Sequence, residues 1–294
     1  MKDVLLRGLV RPADLRVILV EATDLSRMAR MLHGLAPTSA SIFAEALTAG
    51  LLLGALQKDQ TRINLSLEVD GPLSGLLVDA DTEGNIRGRV RQPDVHFPGD
   101  PAVGPRAALG GSGTLSVLRD LGGGKFYRGS VDVVPGTLTE NLRRYFAASE
   151  QVATALDIQV VPTGKEPLGA VAGVVVQKMP EGSAAALDEV RGRIAEGAFR
   201  DALASGATDE ALARSVVGDG LEVLARGQVS YVCNCSRERA VNAVSALGPD
   251  GIHAVLAAEK QVVIDCEFCK KRYVIGEAEL SDIARRLEGG LPAC

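Results

Sequence analysis

Tryptophan is absent from this 294-residue chain, and aromatic residues make up only 3% of it. Proteins that bind single-stranded nucleic acid need stacking platforms, and those that track a phosphate backbone need an excess of positive charge. The formal net charge is instead −5, from 32 Lys and Arg against 37 Asp and Glu, so no nucleic-acid partner is expected. Long apolar segments are also missing. The longest, Ala46 to Leu56, is interrupted by Thr48 and falls short of the roughly 20 residues that span a bilayer. The start, Met1-Lys2-Asp3, leads into strand-like residues broken by Arg7 and Arg11, with none of the apolar core of a signal peptide. A cytoplasmic protein without membrane contact is expected.

The residues of catalytic sites are equally sparse. His33, His96 and His253 are scattered, and no Ser/His/Asp set is indicated. Gly164-Lys165 lacks the upstream Gly and the following Ser or Thr of a phosphate loop. Gly110-Gly111-Ser112-Gly113 lacks the strand-to-helix context of a nucleotide cradle. The chain is not expected to be an enzyme.

Cysteine is scarce but unevenly placed. Of five, four form two tight pairs, Cys233-Asn234-Cys235 and Cys266-Glu267-Phe268-Cys269, and Cys294 stands alone at the end. In a reducing compartment, paired cysteines more often bind metal or do redox work than form permanent disulfides. Two close pairs brought together supply the tetrahedral thiolate set of a closed Zn²⁺ site. One Zn²⁺ per chain, held by Cys233, Cys235, Cys266 and Cys269, is therefore expected. The same thiolates are what oxidants attack, so the constellation is either a staple or a sensor, and spacing leaves both open. Arg237, Arg239, Lys270, Lys271 and Arg272 flank it and would offset the charge of a four-thiolate site. Lys270 to Ile275 does not read as a helix, so the CxxC suits a metal knuckle between strands rather than a thioredoxin-like motif. Cys294 is expected to be a mobile terminal thiol, and a prenylated cysteine would lie fourth from the end.

Hydropathy patterns predict an α+β fold. Leu15 to Glu21 reads as a strand, Asp24 to His33 as a helix, and Pro37 to about Gln57 as a longer helix. Segments 63–69, 73–80, 86–90, 113–118 and 126–133 read as an antiparallel sheet, with Gly122-Gly123-Gly124 as a hairpin tip and 92–113 as a loop. A helix over 138–149 and strands over 158–161 and 170–177 complete an N-terminal domain, 1–180. Residues 181–230 read as a helical linker capped at Ser183 and Thr208. Its apolar faces are thin and Ala-rich, and interior glycines such as Gly192 and Gly197 weaken it by about 0.5–1 kcal/mol each. Residues 231–294 read as a small zinc-binding α+β module. It has helices over 236–247 and 252–258 around a Gly248-Pro249-Asp250-Gly251 turn, a hairpin holding the CxxC, and a last helix over 278–287. A unit that small needs a staple to be stable.

Cys233-Asn234-Cys235-Ser236-Arg237-Glu238-Arg239 and Cys266-Glu267-Phe268-Cys269 resemble the heat-shock protein 33 family of redox-regulated chaperones. The resemblance extends to Asp70-Gly71-Pro72-Leu73, Arg87-Gly88, Tyr127-Arg128-Gly129, Ser149-Glu150-Gln151 and Gln177-Lys178-Met179-Pro180. It implies an ATP-independent cytoplasmic holdase, inactive while Cys233, Cys235, Cys266 and Cys269 hold zinc. Oxidants, helped by heat, would release the metal and form two disulfides, Cys233–Cys235 and Cys266–Cys269. The linker would then unfold, unfolding client proteins would be captured, and the oxidised chain would form homodimers. The alternative class is a constitutive zinc-ribbon module that binds protein or nucleic acid, and a thiol oxidoreductase is a more distant one.

Overall fold

The computed structural model describes residues 3–58, 61–99 and 103–289. Strands β1 (Val4–Val10) and β2 (Leu15–Glu21) open the chain, followed by helices α1 (Thr23–His33) and α2 (Pro37–Ala55). Then come β3 (Arg62–Val69), β4 (Gly75–Asp81), β5 (Asn85–Val90), a short α3 (Val103–Leu109), β6 (Gly113–Asp120), β7 (Phe126–Asp132), α4 (Leu138–Ser149), β8 (Thr154–Thr163) and β9 (Glu166–Lys178). Three helices follow, α5 (Ala184–Ala195), α6 (Ala198–Ala204) and α7 (Asp209–Val217), then β10 (Leu221–Gln228) and β11 (Ser230–Tyr231). The remainder is α8 (Arg237–Ser245), α9 (Gly248–Ala258), β12 (Gln261–Asp265), β13 (Arg272–Gly276) and α10 (Glu277–Glu288). Two compact units result, Met1–Val232 and Cys233–Cys294.

In the first unit α2 is apolar on every side, so it has to be covered all round. It lies between two sheets. One is five-stranded, in the order β10-β1-β2-β9-β8, and the other is six-stranded, in the order β11-β5-β4-β3-β6-β7. Pairing is antiparallel throughout except where β11 runs parallel to β5. Glycine permits the close approach on both sides. A Cβ on Gly54 would sit 2.4 Å from the Asp81 carbonyl oxygen, and one on Gly173 would sit 2.7 Å from a Thr48 methyl carbon. By length and composition α2 could cross a membrane, with mean hydropathy 1.3 in a helix of 19 residues, but 94% of that window is buried inside the protein. The expectation that no apolar segment reaches spanning length is thus corrected: Pro37 to Phe43 extends the run, and the result is a core helix.

The five-stranded sheet is apolar on both faces. Leu5, Ile18, Val20 and Val175 point toward α2, and Leu6, Val17, Leu19, Val174 and Val176 point away. Helices α5 to α7 cover this second face with Leu187, Val190, Phe199, Leu203, Leu212 and Val216, all buried. Ser183 accepts the Ala186 N–H at 3.1 Å and caps α5 as its sequence suggests. Thr208 precedes α7 but makes no side-chain cap bond, and the buried Glu21 of β2 accepts the Asp209 N–H instead. The segment read as a helical linker is not wholly helical: its residues Leu221–Gln228 form β10, antiparallel to β1. Gly218 and Gly220, at φ 73° and 93°, end α7 and turn the chain, after which Leu221 and Val223 meet the core in strand alternation. The strand-like residues that follow Asp3 form β1, which accepts this edge.

Two smaller differences follow from local chemistry. The stretch 92–113, read as loop, contains α3. Gly248 to Gly251, read as a turn, is the first turn of α9, since Pro249 near the first helical position is pre-set for a helix start. Strand β11 ends in an anchor. The Tyr231 hydroxyl donates to the Gly88 carbonyl at 2.8 Å, accepts the Gly88 N–H at 3.2 Å, and lies 3.0 Å from His33 Nε2.

Inside α2, the Glu45 carboxylate accepts the Thr139 N–H at 2.6 Å and the Thr139 hydroxyl, which ties α2 to the start of α4. Burial pushes this acid up to about 7 against those bonds, and the nearby Asp157 and Glu140 add to the rise. A folded-state value above the unfolded one means that the folded chain holds the proton more tightly. Its stabilisation is present at low pH and is lost as pH climbs through about 7. The difference in urea stability between the native chain and Glu45→Gln should therefore change by about 3 kcal/mol between pH 5 and pH 8, with the native chain weakening as pH rises. Parallel pH profiles for the two chains would refute this.

Candidate metal centre

The second unit buries little. Val244, Ile252, Tyr273, Ile275, Leu280 and Ile283 form most of its core, with Ala240 and Ala284. Its sheet is the single β12–β13 hairpin. A lone hairpin is marginal in water, and helices α8 to α10 supply one small apolar layer around it.

The four paired cysteines converge here. Cys233 and Cys235 lie in the irregular segment before α8, whose N-cap Ser236 accepts the Arg239 N–H at 3.2 Å. Cys266 to Cys269 form the turn between β12 and β13. The Lys270 N–H reaches the Cys266 carbonyl at 2.8 Å and the Cys266 N–H reaches the Lys271 carbonyl at 2.9 Å. Lys270 adopts φ 58°, the left-handed step that closes the knuckle. All four Sγ atoms lie within 4.8 Å of one another. Across the pairs, Cys233 and Cys266 Sγ are 3.7 Å apart, and Cys235 and Cys269 Sγ 3.3 Å. A tetrahedral zinc–thiolate site with bonds near 2.3 Å implies sulfur separations of roughly 3.8 Å. The donor set fits that metal in number, in chemistry and in size. Cys294 lies outside the described residues.

Tyr273, which no spacing rule singles out, belongs to the site. Its hydroxyl, carried by β13, donates to Cys235 Sγ at 3.1 Å. Burial pushes the Cys235 thiol up, but Tyr273 and the neighbouring thiols direct their hydrogens at this sulfur and bring it down to about 7. Burial pushes the Cys269 thiol up to about 12, assisted by the hydrogen bonds it gives its neighbours. Burial also raises Cys233. The flanking cations also make local contacts within the unit. Arg272 grips Asp265 through two bonds of 2.7 and 2.8 Å, and Arg237 bonds the Val274 carbonyl at 3.0 Å and pairs with Glu279. Lys271 stands over the Tyr273 ring at 5.3 Å. The sulfur is supported by a hydroxyl, and the arginines brace the hairpin.

The family model described as Hsp33 protein matches residues 3–276. The chain belongs to the Hsp33 family. It is 30% identical over 292 residues to a 33 kDa chaperonin of Geobacillus sp. (strain WCH70), which covers 98% of this chain and 99% of that one. To the 33 kDa chaperonin of Geobacillus kaustophilus (strain HTA426) it is 31% identical over 287 residues, or 96% and 98% of the two chains. The crystal structure of a 33 kDa chaperonin (heat shock protein 33 homolog) from Thermotoga maritima superposes with a TM-score of 0.87 over 97% of this chain and 98% of that one. At 24% identity that match speaks for a shared fold. Membership of the Hsp33 family, whose named relatives are chaperonins, supports a chaperone role for this chain.

Loss of a hydrogen bond that orients a metal ligand typically lowers metal affinity by about 10–100-fold. Tyr273→Phe should therefore bind Zn²⁺ within that range more weakly than the native chain in competition with a chromophoric chelator. Unchanged affinity would remove Tyr273 from the site.

Proposed function

We propose that this chain is a redox-regulated, ATP-independent holdase chaperone of the cytoplasm. The observation that carries the reading is the meeting of four thiols in a unit whose own core is too small to hold it. Cys233, Cys235, Cys266 and Cys269 would hold one Zn²⁺, which takes the place of the thiol protons and contributes about 10–16 kcal/mol of apparent folding free energy. Two equivalents of peroxide, one for each pair, would each take two electrons and, with two protons from solvent, end as water, so that the metal is released and Cys233–Cys235 and Cys266–Cys269 disulfides form. Neighbours in sequence stay close once the metal is gone, which favours these pairings over links between the pairs.

The functional division we propose is 1–180 as the core domain, 181–230 as a metastable linker and 231–294 as the sensor. Helices α5, α6 and α7 span only 12, 7 and 9 residues, and such helices draw their stability from packing rather than propensity. What they cover is the outward face of the five-stranded sheet, with Leu6, Val17, Leu19, Val174 and Val176. Unfolding of 181–230 would bare this strip together with the helices' own Leu187, Phe199 and Leu212. Unfolding or partly folded client proteins are the partners such a surface suits, and homodimers of the oxidised chain follow from the same exposure.

Peroxide at elevated temperature should convert the zinc-loaded chain into one that suppresses aggregation of an unfolded client. Hydrogen exchange should rise over 181–228 and 233–289 while α2 and strands β1 to β9 stay protected. Peptide mapping should recover the two within-pair disulfides. Equal protection of 181–230 in both states would favour a constitutive zinc module. Links such as Cys233 to Cys266 would overturn the pairing.

Glycine positions in the linker give a finer test. Gly192 lies inside α5, where an added Cβ meets nothing within 4 Å, so Gly192→Ala should stabilise the linker by about 1 kcal/mol and shift activation to higher temperature or stronger oxidant. Gly197, also read as an interior weak point, sits instead between α5 and α6 at φ 87°, where Ala is strained, and Gly197→Ala should lower the threshold. The same sign of shift for both substitutions would show that linker stability does not set the threshold.

A further inference from the structure

Helices α2, α3 and α4 and strand β8 line a cavity of about 490 Å³ in the first unit, with Arg200 of α6 at its rim. The all-round apolar helix α2 carries a short polar row here. Thr38, Ser41 and Glu45 stand at steps of three and four residues, so they share one face, and all three line the cavity. Opposite them β8 supplies an apolar wall with Ile158, Val160 and Pro162. A space of this size, mostly apolar with a few convergent polar groups, is what small ligands occupy.

The charges around the cavity are paired in two places and unpaired in two. Arg143 bonds the buried Asp157 at 2.8 Å, and Arg106 pairs with Glu140 at 2.6 Å. Glu45, only 8% exposed, has no cation beside it among the described residues. Its Oε1 accepts both bonds from Thr139, and its Oε2 has no hydrogen-bond partner among the described residues. Gln159 gives its amide N–H to Asp157 at 2.9 Å, which leaves its own Oε1 unused. At the rim the exposed Arg200 has neither a hydrogen bond nor an ion pair among the described residues. The cavity thus has a negative floor and a positive rim.

We propose that this cavity binds a small aliphatic compound with an ammonium at one end and a carboxylate at the other, the ammonium on Glu45 and the carboxylate on Arg200. An ammonium brings three N–H donors, and Glu45 Oε2 and Gln159 Oε1 are acceptors that the fold leaves unused. The methylenes between the two ends suit the wall of Ile158, Val160 and Pro162. A divalent cation suits the floor less well. It asks for about six oxygens, whereas both oxygens of Asp157 are already held, one of them by the Arg143 guanidinium. Without such a ligand a proton offsets the Glu45 carboxylate, which burial pushes up to about 7. Binding sends that proton to solvent and puts the ammonium in its place. The site involves no thiol and is independent of the redox reading above.

Titration calorimetry of the reduced full chain with ε-aminocaproate should show binding in the millimolar range, which is what so small a ligand can reach. Hexanoate, which lacks the ammonium, should not bind. Ionised Glu45 is the binding form, so the dissociation constant should be about tenfold lower at pH 8 than at pH 6 for an acid that titrates near 7. His96 also lines the cavity, but its protonation would favour the carboxylate at low pH, so His96→Gln should not reduce that ratio. Glu45→Gln should weaken binding about tenfold or more and remove the pH dependence. Arg200→Ala should weaken ε-aminocaproate about threefold and leave hexylamine unchanged. No binding of ε-aminocaproate, equal binding of hexanoate, or equal affinity of the native chain at the two pH values overturns the proposal, whether or not the Glu45→Gln chain folds. An Arg200→Ala chain that binds ε-aminocaproate as the native one does overturns the placing of the carboxylate.

Discussion

A helix without a polar face cannot lie on a surface, and the first unit is built around that constraint. α2 needs cover on all sides, and one sheet provides half of it. Two sheets are therefore required, each with an apolar face turned inward. The five-stranded sheet goes further and is apolar on its outward face too, so it in turn needs α5 to α7. The layer order follows from satisfying one buried helix and then one two-sided sheet. The cover differs in kind: α2 is a single 19-residue helix locked in by glycine-lined contacts, whereas the outer layer is three short helices.

The second unit answers a different shortage. With a hairpin, three helices and a thin core, it has no comparable element to organise around, and its densest chemistry is four sulfurs. The two units thus depend on different kinds of interaction, apolar contact in one and ligand geometry in the other. All five cysteines lie in the second unit, so an agent that attacks thiols acts there first.

Much of this was legible in the residues. The boundaries of α4, the alternation of β3 and the hairpin around Cys266 to Cys269 followed from caps, periodicity and turn residues that act locally. The cysteine set was visible because spacing alone carries a ligand pattern. What was not legible depended on distant partners. β10 looks like weak helix until β1 is there to pair with it, and its Arg and Gly residues carry no strong alternation of their own. Gly197 reads as a flaw within a helix until its positive φ shows it to be the joint between two. Tyr273 enters the metal site from β13 and meets a cysteine 38 residues away in sequence, a contact that periodicity does not encode.

Strand β11 has a consequence for the way back from the proposed opened state. It fastens the chain through Tyr231, two residues before Cys233, to the edge of the six-stranded sheet, while β9 fastens it at Lys178 within the five-stranded one. If the segment between them melts, it does so as a closed loop pinned at both ends, not as a free tail. The ends of a closed loop need not find each other again, so the conformational search on recovery is shortened. In the proposed switch, the anchor at Gly88 and His33 would thus bear on how readily the covering layer resets once the thiols are reduced.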